Sequence, residues 1–99
     1  MRRLLRVTAR RGDGATFIAI GRCGWALQTL IDAGACGCTP LDCPGPRWSG
    51  YVHRLRRDHG LLIETLDERH GGPFAGSHAR YVLREPVAIV AITGDTEAA

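Results

Sequence analysis

Arginine is the residue type through which this chain can do the most chemistry. All 13 basic residues are arginine and none is lysine. The guanidinium group offers a planar fork of N–H donors that binds a phosphate, or the major-groove edge of guanine, through two parallel hydrogen bonds. An all-arginine composition equally reflects a genome rich in G·C pairs, so composition alone leaves both explanations open.

The arginines are concentrated in two segments of the sequence. Residues 1–23 carry six Arg against one Asp, and residues 47–84 carry seven Arg against four acids. Residues 24–46 and 85–99 are net acidic, by two and three charges. The formal charge of +3 therefore conceals two basic blocks, and such clustering favours contact with a polyanion.

The cysteines raise the alternative of a metal site. Cys36, Cys38 and Cys43 follow one another closely, with Cys23 upstream and four histidines in the chain. Structural zinc sites use C-x-x-C-type pairs, and a C-x-C pair fits them poorly. We therefore expect no metal and no cofactor, with the cysteines acting as small, semi-buried apolar residues.

The sequence contains none of the common catalytic motifs that we sought. A nucleophile elbow, a Walker loop and HExxH are missing, and Gly71-Gly72 before Pro73 predicts a turn. We therefore predict that the protein is not an enzyme. No apolar run reaches the roughly 18–20 residues that span a bilayer, and the N-terminus lacks a signal-peptide core, which predicts a cytoplasmic protein with reduced thiols.

Short apolar segments at both ends of the chain predict strands. Residues 3–10 and 15–22 flank Arg11-Gly12-Asp13-Gly14, which predicts a β-hairpin. Residues 87–92 (VAIVAI) predict a further strand that pairs with this hairpin. The last residues, TGDTEAA, are expected to be a frayed tail.

Three helices are predicted between these strands. The first runs from Gly24 to Gly34, with Trp25 fastening it to the hairpin. A short second helix begins after Thr39 and is stopped by Pro44-Gly45-Pro46. The third covers residues 46–58, and its helical spacing separates an apolar face from a basic one. The apolar face carries Trp48, Tyr51, Val52 and Leu55, and the basic face carries Gly50, His53, Arg54 and Arg57.

An extended region follows the third helix. Residues 61–69 and 78–85 predict two strands joined by a glycine-rich tip at 70–77. In the second strand, Tyr81 and Leu83 alternate with Arg80, Val82 and Arg84, which is the pattern of a half-buried strand.

This order of elements resembles the winged helix-turn-helix family. The resemblance covers residues 24–84 and is strongest over PRWSGYVHRLRRDHGLLIETLDERHGGPFAGSHARYVL, which is similar to small winged-helix proteins of phages and bacteria. It implies an α+β fold with three helices and a wing hairpin, here with an added N-terminal hairpin and C-terminal strand. Residues 1–99 would form a single domain, divided into segments 1–23, 24–84 and 86–99.

The resemblance implies a double-stranded DNA-binding protein that regulates transcription or serves a phage or mobile element. Helix 46–58 would enter the major groove, and a wing at 69–80 would reach the minor groove or the backbone. Gly50 would let the helix backbone approach the groove closely. The predicted contact residues are Arg47, Ser49, Gly50, His53, Arg54, Arg57, Arg69, His70, His78 and Arg80.

The same fold also serves as a protein-interaction module. The alternative function is therefore a protein partner, for example in a phage-encoded inhibitor of a host nucleic-acid-binding defence complex. A homodimer formed through the N-terminal hairpin or residues 87–92 would enlarge the small interface of a 99-residue chain.

Overall fold

The structure is a computed structural model that describes residues 5–40, 43, 47–71 and 76–93. Its strands and helices follow one another in the order β1 (Arg6–Arg11), β2 (Thr16–Ile20), α1 (Arg22–Ala33), α2 (Trp48–His59), β3 (Ile63–His70), β4 (Gly76–Leu83) and β5 (Val87–Thr93). A 3-10 turn, Gly34–Cys36, follows α1.

The N-terminal hairpin and the C-terminal strand form one antiparallel sheet in the order β2-β1-β5. This confirms both the predicted hairpin and its pairing with the last strand. Val7 and Ala9 of β1 point into the core, whereas Arg6 and Arg10 lie on the exposed side. The β1–β5 register shifts between Thr8 and Ala9, which pair with Ala91 and Ile89 and leave Val90 as an extra residue in β5. Such a β-bulge adds local twist to a strand.

Helix α1 lies on the inner face of this sheet. Leu27 and Leu30 are fully buried, and the helix ends before Gly34, as its sequence predicted. The approach is closest at Gly24, where an added Cβ would lie 2.8 Å from the carbonyl oxygen of Ala19. At Gly24, the contact between α1 and the sheet therefore leaves no room for a side chain.

Trp25 contacts α2, a neighbour that the sequence analysis did not predict. Its ring centroid lies 5.4 Å from that of Trp48 and 6.3 Å from that of Tyr51, both on α2. Trp25 therefore packs between α1 and α2. Trp48 also stacks on Tyr81 of β4, with centroids 6.1 Å apart.

The described residues contain two α-helices, and this does not match the three predicted. The helix expected after Thr39 falls mostly on residues 41–42 and 44–46, which lie outside the described residues, as does the first predicted residue of the helix at 46–58. In the described part of this connection, the Cys43 N–H donates to the Thr39 carbonyl at 2.9 Å. No helix among the described residues has the length and apolarity needed to cross a bilayer.

Strands β3 and β4 form an antiparallel hairpin, which with its connecting segment we call the wing. Backbone hydrogen bonds of 2.9 and 2.8 Å join Cys38 to Tyr81 at its base, adding a one-residue third strand. The predicted alternation in β4 holds for Tyr81 but was wrong for Val82, which is also buried. Val82 is covered because it packs against the backbone of Gly37, a contact between distant segments.

Candidate nucleic-acid interface

Helix α2 is the element that presents the candidate interface. It ends at Gly60, whose left-handed conformation (φ 64°) lets its N–H donate to the Arg56 carbonyl at 2.9 Å. Arg56, Arg57 and His59 lie in the last turn, where positive charge interacts favourably with the helix dipole. The basic residues of the last turn and the left-handed Gly60 thus both favour the end of α2 at this point.

The two predicted faces of α2 are present in the structure. All four predicted core residues, Trp48, Tyr51, Val52 and Leu55, are buried. The opposite side is exposed and carries every contact residue predicted for this helix, namely Arg47, Ser49, Gly50, His53, Arg54 and Arg57. We call these six residues the α2 basic face.

The positive charges of the α2 basic face are only partly neutralised. The Nε of Arg57 lies 2.9 Å from Asp58 Oδ1, and this hydrogen bond holds the pKa of the Asp58 carboxyl below its usual range. Arg47 and Arg54 form no ion pair with any described residue. Two guanidinium groups therefore remain available for an anionic partner.

Gly50 leaves a gap in the middle of this face. A Cβ added there would meet only the Cβ of Arg47, at 3.8 Å. Folding therefore does not require a glycine here, although glycine lowers helix stability by roughly 1 kcal/mol relative to alanine. The open space lies where a partner would approach the helix backbone.

Arg11 of β1 fixes the C-terminal end of α2. Its guanidinium donates to the His59 carbonyl at 2.7 Å and to the Gly60 carbonyl at 3.2 Å. It also forms a two-point ion pair with Glu85, at 3.0 and 3.1 Å. Glu85 in turn accepts a hydrogen bond from the Leu62 N–H at 2.7 Å. These two side chains, which we call the Arg11–Glu85 latch, join the sheet, α2 and the base of the wing.

Arg56 joins α2 to the wing directly. Its guanidinium donates to the carbonyl of Ile63, and to Thr65 Oγ1 at 2.9 Å. Arg56 therefore serves as a positioning residue, although its place in the arginine-rich run LRR would suggest a binding role. The sequence analysis missed it together with Arg11 and Glu85, because side-chain contacts with carbonyl groups leave no pattern in a sequence.

The residues predicted on the wing divide into two groups. Arg69 is exposed, and His70 belongs to β3, although its side chain lies outside what the structure describes. His78 and Arg80 both contact Glu68, at 3.2 and 2.5 Å, and Arg80 also donates to the Cys36 carbonyl at 2.7 Å. These two side chains brace the wing, and the hydrogen bond from Arg80 holds the pKa of Glu68 below its usual range.

His59 makes the stability of α2 sensitive to pH. Its ring packs on Phe17, with centroids 4.7 Å apart, and burial lowers its pKa, with nearby Arg11 acting in the same direction against an opposing effect of Asp58. The unfolded chain then binds a proton more readily than the folded chain. Stability must fall as the pH drops below about 6.5.

We therefore expect the wild-type melting temperature to decrease between pH 7.5 and pH 5. His59→Gln should have a shallower decrease over the same range. Thermal unfolding followed by circular dichroism measures both slopes. The pH range ends at 5 because Asp58 and Glu68 become protonated only at lower pH. The pKa values of both carboxyls are lowered in the folded chain, so both keep their stabilising charge over the range that is measured. Equal slopes in the two proteins would contradict this role for His59.

The cysteines that suggested a metal site do not assemble into one among the described residues. Cys38 is buried, Cys36 is exposed and Cys43 is half-buried. No group of three or more His, Cys, Asp or Glu side chains comes together in that part of the chain.

A two-faced helix braced against a β-hairpin defines a small α+β protein of the helix-and-wing type. The chain belongs to the winged helix domain family, whose model matches residues 16–93. Membership points in general terms to a DNA-binding or regulatory role. Comparison with curated proteins and with solved structures gives no match.

Proposed function

We propose that the protein binds double-stranded DNA, with α2 in the major groove and the wing against the minor groove or the adjacent backbone. The α2 basic face carries this proposal, because its six residues share one exposed side of a helix whose other side is buried. A non-enzymatic role in gene regulation follows from this activity together with the lack of a recognised catalytic motif in the sequence.

The two ends of the α2 basic face are suited to different contacts. The N-terminal residues of a recognition helix lie nearest the base edges, which assigns base contacts to Arg47, Ser49 and His53. Arg54 and Arg57 lie one to two turns further along, where they reach phosphates. Arg57 would exchange its ion pair with Asp58 for a phosphate contact, and the 60% exposure of its side chain makes that exchange easy.

The Arg47→Ala/Arg57→Ala double variant tests the proposal. We expect it to bind duplex DNA at least about 10-fold more weakly. The slope of log affinity against log salt concentration should also fall by the amount that corresponds to about one to two phosphate contacts. Fluorescence anisotropy over a salt series measures both quantities. Arg6→Ala/Arg84→Ala is the matched control, because it removes the same charge at two exposed positions outside the α2 basic face, and Arg84, like Arg57, forms an exposed ion pair.

Two outcomes would contradict DNA binding through α2. If both double variants lose affinity equally, the arginines act only as diffuse positive charge. If the wild-type protein binds duplex DNA only through a weak background that salt removes, the family role as a protein-interaction module becomes the better explanation. Competition between random and genomic DNA then distinguishes sequence-specific binding from generic phosphate attraction.

Gly50→Ala should change the stability of the protein and its affinity for DNA in opposite directions. We expect the variant to gain up to about 1 kcal/mol of unfolding free energy, because alanine favours the helix and the position is open. We also expect weaker DNA binding, because the methyl group would hold the helix backbone away from the groove. Denaturant unfolding and anisotropy measure the two effects. A variant that is more stable and binds DNA as well as the wild type would show that Gly50 has no part in the interface.

A further inference from the structure

The outer edge of β5 is an apolar feature of the described chain that the proposed function does not explain. Within the described residues β5 pairs only with β1, so alternate N–H and C=O groups on its other side have no strand beside them. Its sequence, VAIVAIT, contains no charge, proline or glycine. Val90 and Ile92 are 49% and 47% exposed, although they are large apolar side chains.

Exposed edge strands usually carry features that prevent them from pairing with another chain. Charged side chains, proline, short length and β-bulges are the common ones. Of these, β5 has only the bulge, and the extra residue there is the apolar Val90. The edge thus keeps a seven-residue strand, five of whose residues are β-branched and favour a β-strand, and it can pair with a further strand.

We infer that β5 pairs with β5 of a second copy of this chain, in antiparallel orientation, to form a two-fold symmetric dimer with a continuous six-stranded sheet. Two identical strands that pair antiparallel are related by a two-fold axis and satisfy each other's edge groups. Because each copy uses its one outer β5 edge in this pairing, association through this edge stops at two copies.

Charge complementarity supports a second copy as the occupant. Antiparallel pairing brings Thr93 of one copy to the start of the partner copy's β5, and the sequence that follows Thr93 includes Asp95 and Glu97. That end of β5 lies beside Arg10 of β1 in each copy. Arg10 is exposed and makes no ion pair with any described residue, so an acidic tail from a second copy would meet a positive charge there.

The opposite edge of the sheet, β2, is less suited to self-association. Ile18 and Ile20 of β2 line a groove of about 220 Å³ together with Arg54 and Asp58 of α2. A symmetric contact through β2 would bring the charged flanks of two α2 helices together. The β5 edge lies on the far side of the sheet and leaves both α2 basic faces accessible.

The dimer is also compatible with the proposed DNA binding, on which this inference rests. A two-fold axis perpendicular to the sheet keeps both α2 helices on the same face of the dimer. Six strands about 4.8 Å apart place the two β2 strands roughly 24 Å apart, with α2 beside each. Dimeric helix-turn-helix proteins bind half-sites about 34 Å apart, one turn of DNA, a spacing that requires each α2 to lie about 5 Å outward of its β2.

Val90→Lys tests the dimer, with Ile18→Lys as its matched control. Both substitutions place a lysine at an exposed apolar position of an edge strand, since Ile18 is 44% exposed on β2. Light scattering coupled to size exclusion, without DNA, should give twice 10.7 kDa for the wild type and for Ile18→Lys, and 10.7 kDa for Val90→Lys. Circular dichroism of each variant shows whether it remains folded.

Amide hydrogen exchange gives a second measurement that needs no variant. In the wild type, the amides of β5 that point away from β1 should lose protection on dilution, whereas the amides that bond to β1 should keep theirs. A wild type that stays monomeric at all concentrations would overturn the dimer, as would one that is disrupted by Ile18→Lys and not by Val90→Lys. Because these measurements omit DNA, they leave the proposed DNA binding to be judged separately.

Discussion

Arg11→Ala is expected to lower the unfolding free energy by about 2–3 kcal/mol, because it removes a part-buried cation that makes four hydrogen bonds, and the contributions of bonds within one network overlap instead of adding. Its loss leaves the Glu85 carboxylate without its cation, although the Glu85 side chain is only 11% exposed. It also leaves the His59 and Gly60 carbonyls at the end of α2 without this donor.

Chemical denaturation of Arg11→Ala, Glu85→Ala and the double variant measures this effect as a double-mutant cycle. We expect the two single losses to overlap, with a coupling energy of about 1–2 kcal/mol, because the same ion pair is removed each time. Arg6→Ala provides the control. Its exposed side chain on the same strand should change stability by no more than about 0.5 kcal/mol. Additive losses from the two single variants would show that the latch is not a coupled unit.

The second large effect is expected for Gly37→Ala, which should lower stability by at least about 3 kcal/mol. Gly37 has φ +69°, and an added Cβ would lie 2.6 Å from the carbonyl oxygen of Tyr81 and 2.7 Å from Val82 Cγ2. The backbone of β4 cannot move away without losing the hydrogen bonds that join Cys38 to Tyr81. Conformational strain and steric overlap therefore act together.

Gly34→Ala separates these two causes. Gly34 also has a positive φ, +56°, but an added Cβ there would meet nothing within 4 Å. This variant should show the conformational strain alone, about 1–3 kcal/mol. Thermal and denaturant unfolding of both variants give the comparison. If Gly37→Ala proves no more destabilising than Gly34→Ala, the close contact between Gly37 and β4 does not stabilise the fold.

The parts of the fold that were predicted correctly are those with a local pattern in the sequence. The two faces of α2 follow from the helical spacing of Trp48, Tyr51, Val52 and Leu55, and its end follows from Gly60. The N-terminal hairpin follows from two apolar segments around a glycine-containing turn. Each of these signals lies within a dozen residues, where steric and hydrogen-bonding preferences decide the backbone conformation.

The parts that were missed depend on contacts between distant residues. Arg11 and Glu85 are 74 positions apart, and nothing near either residue indicates the other. The contacts of Trp25 with Trp48 and Tyr51, which join α1 to α2, were likewise not predicted. The bonds from Arg80 to Glu68 and to the Cys36 carbonyl also join residues that are well separated in the sequence.

The bridge between Cys38 and Tyr81 divides the wing into an inner part with a third strand beside β4 and an outer part without one. Near Tyr81, β4 has backbone pairing on both of its edges, whereas from Ser77 to Ala79 its strand pairing among the described residues is with β3. The outer half of the wing is therefore a two-stranded hairpin, stiffened by the contacts of His78 and Arg80 with Glu68. In the proposed complex with DNA, such a hairpin would adjust to the width of the groove more readily than α2, which packs against the core along one whole face.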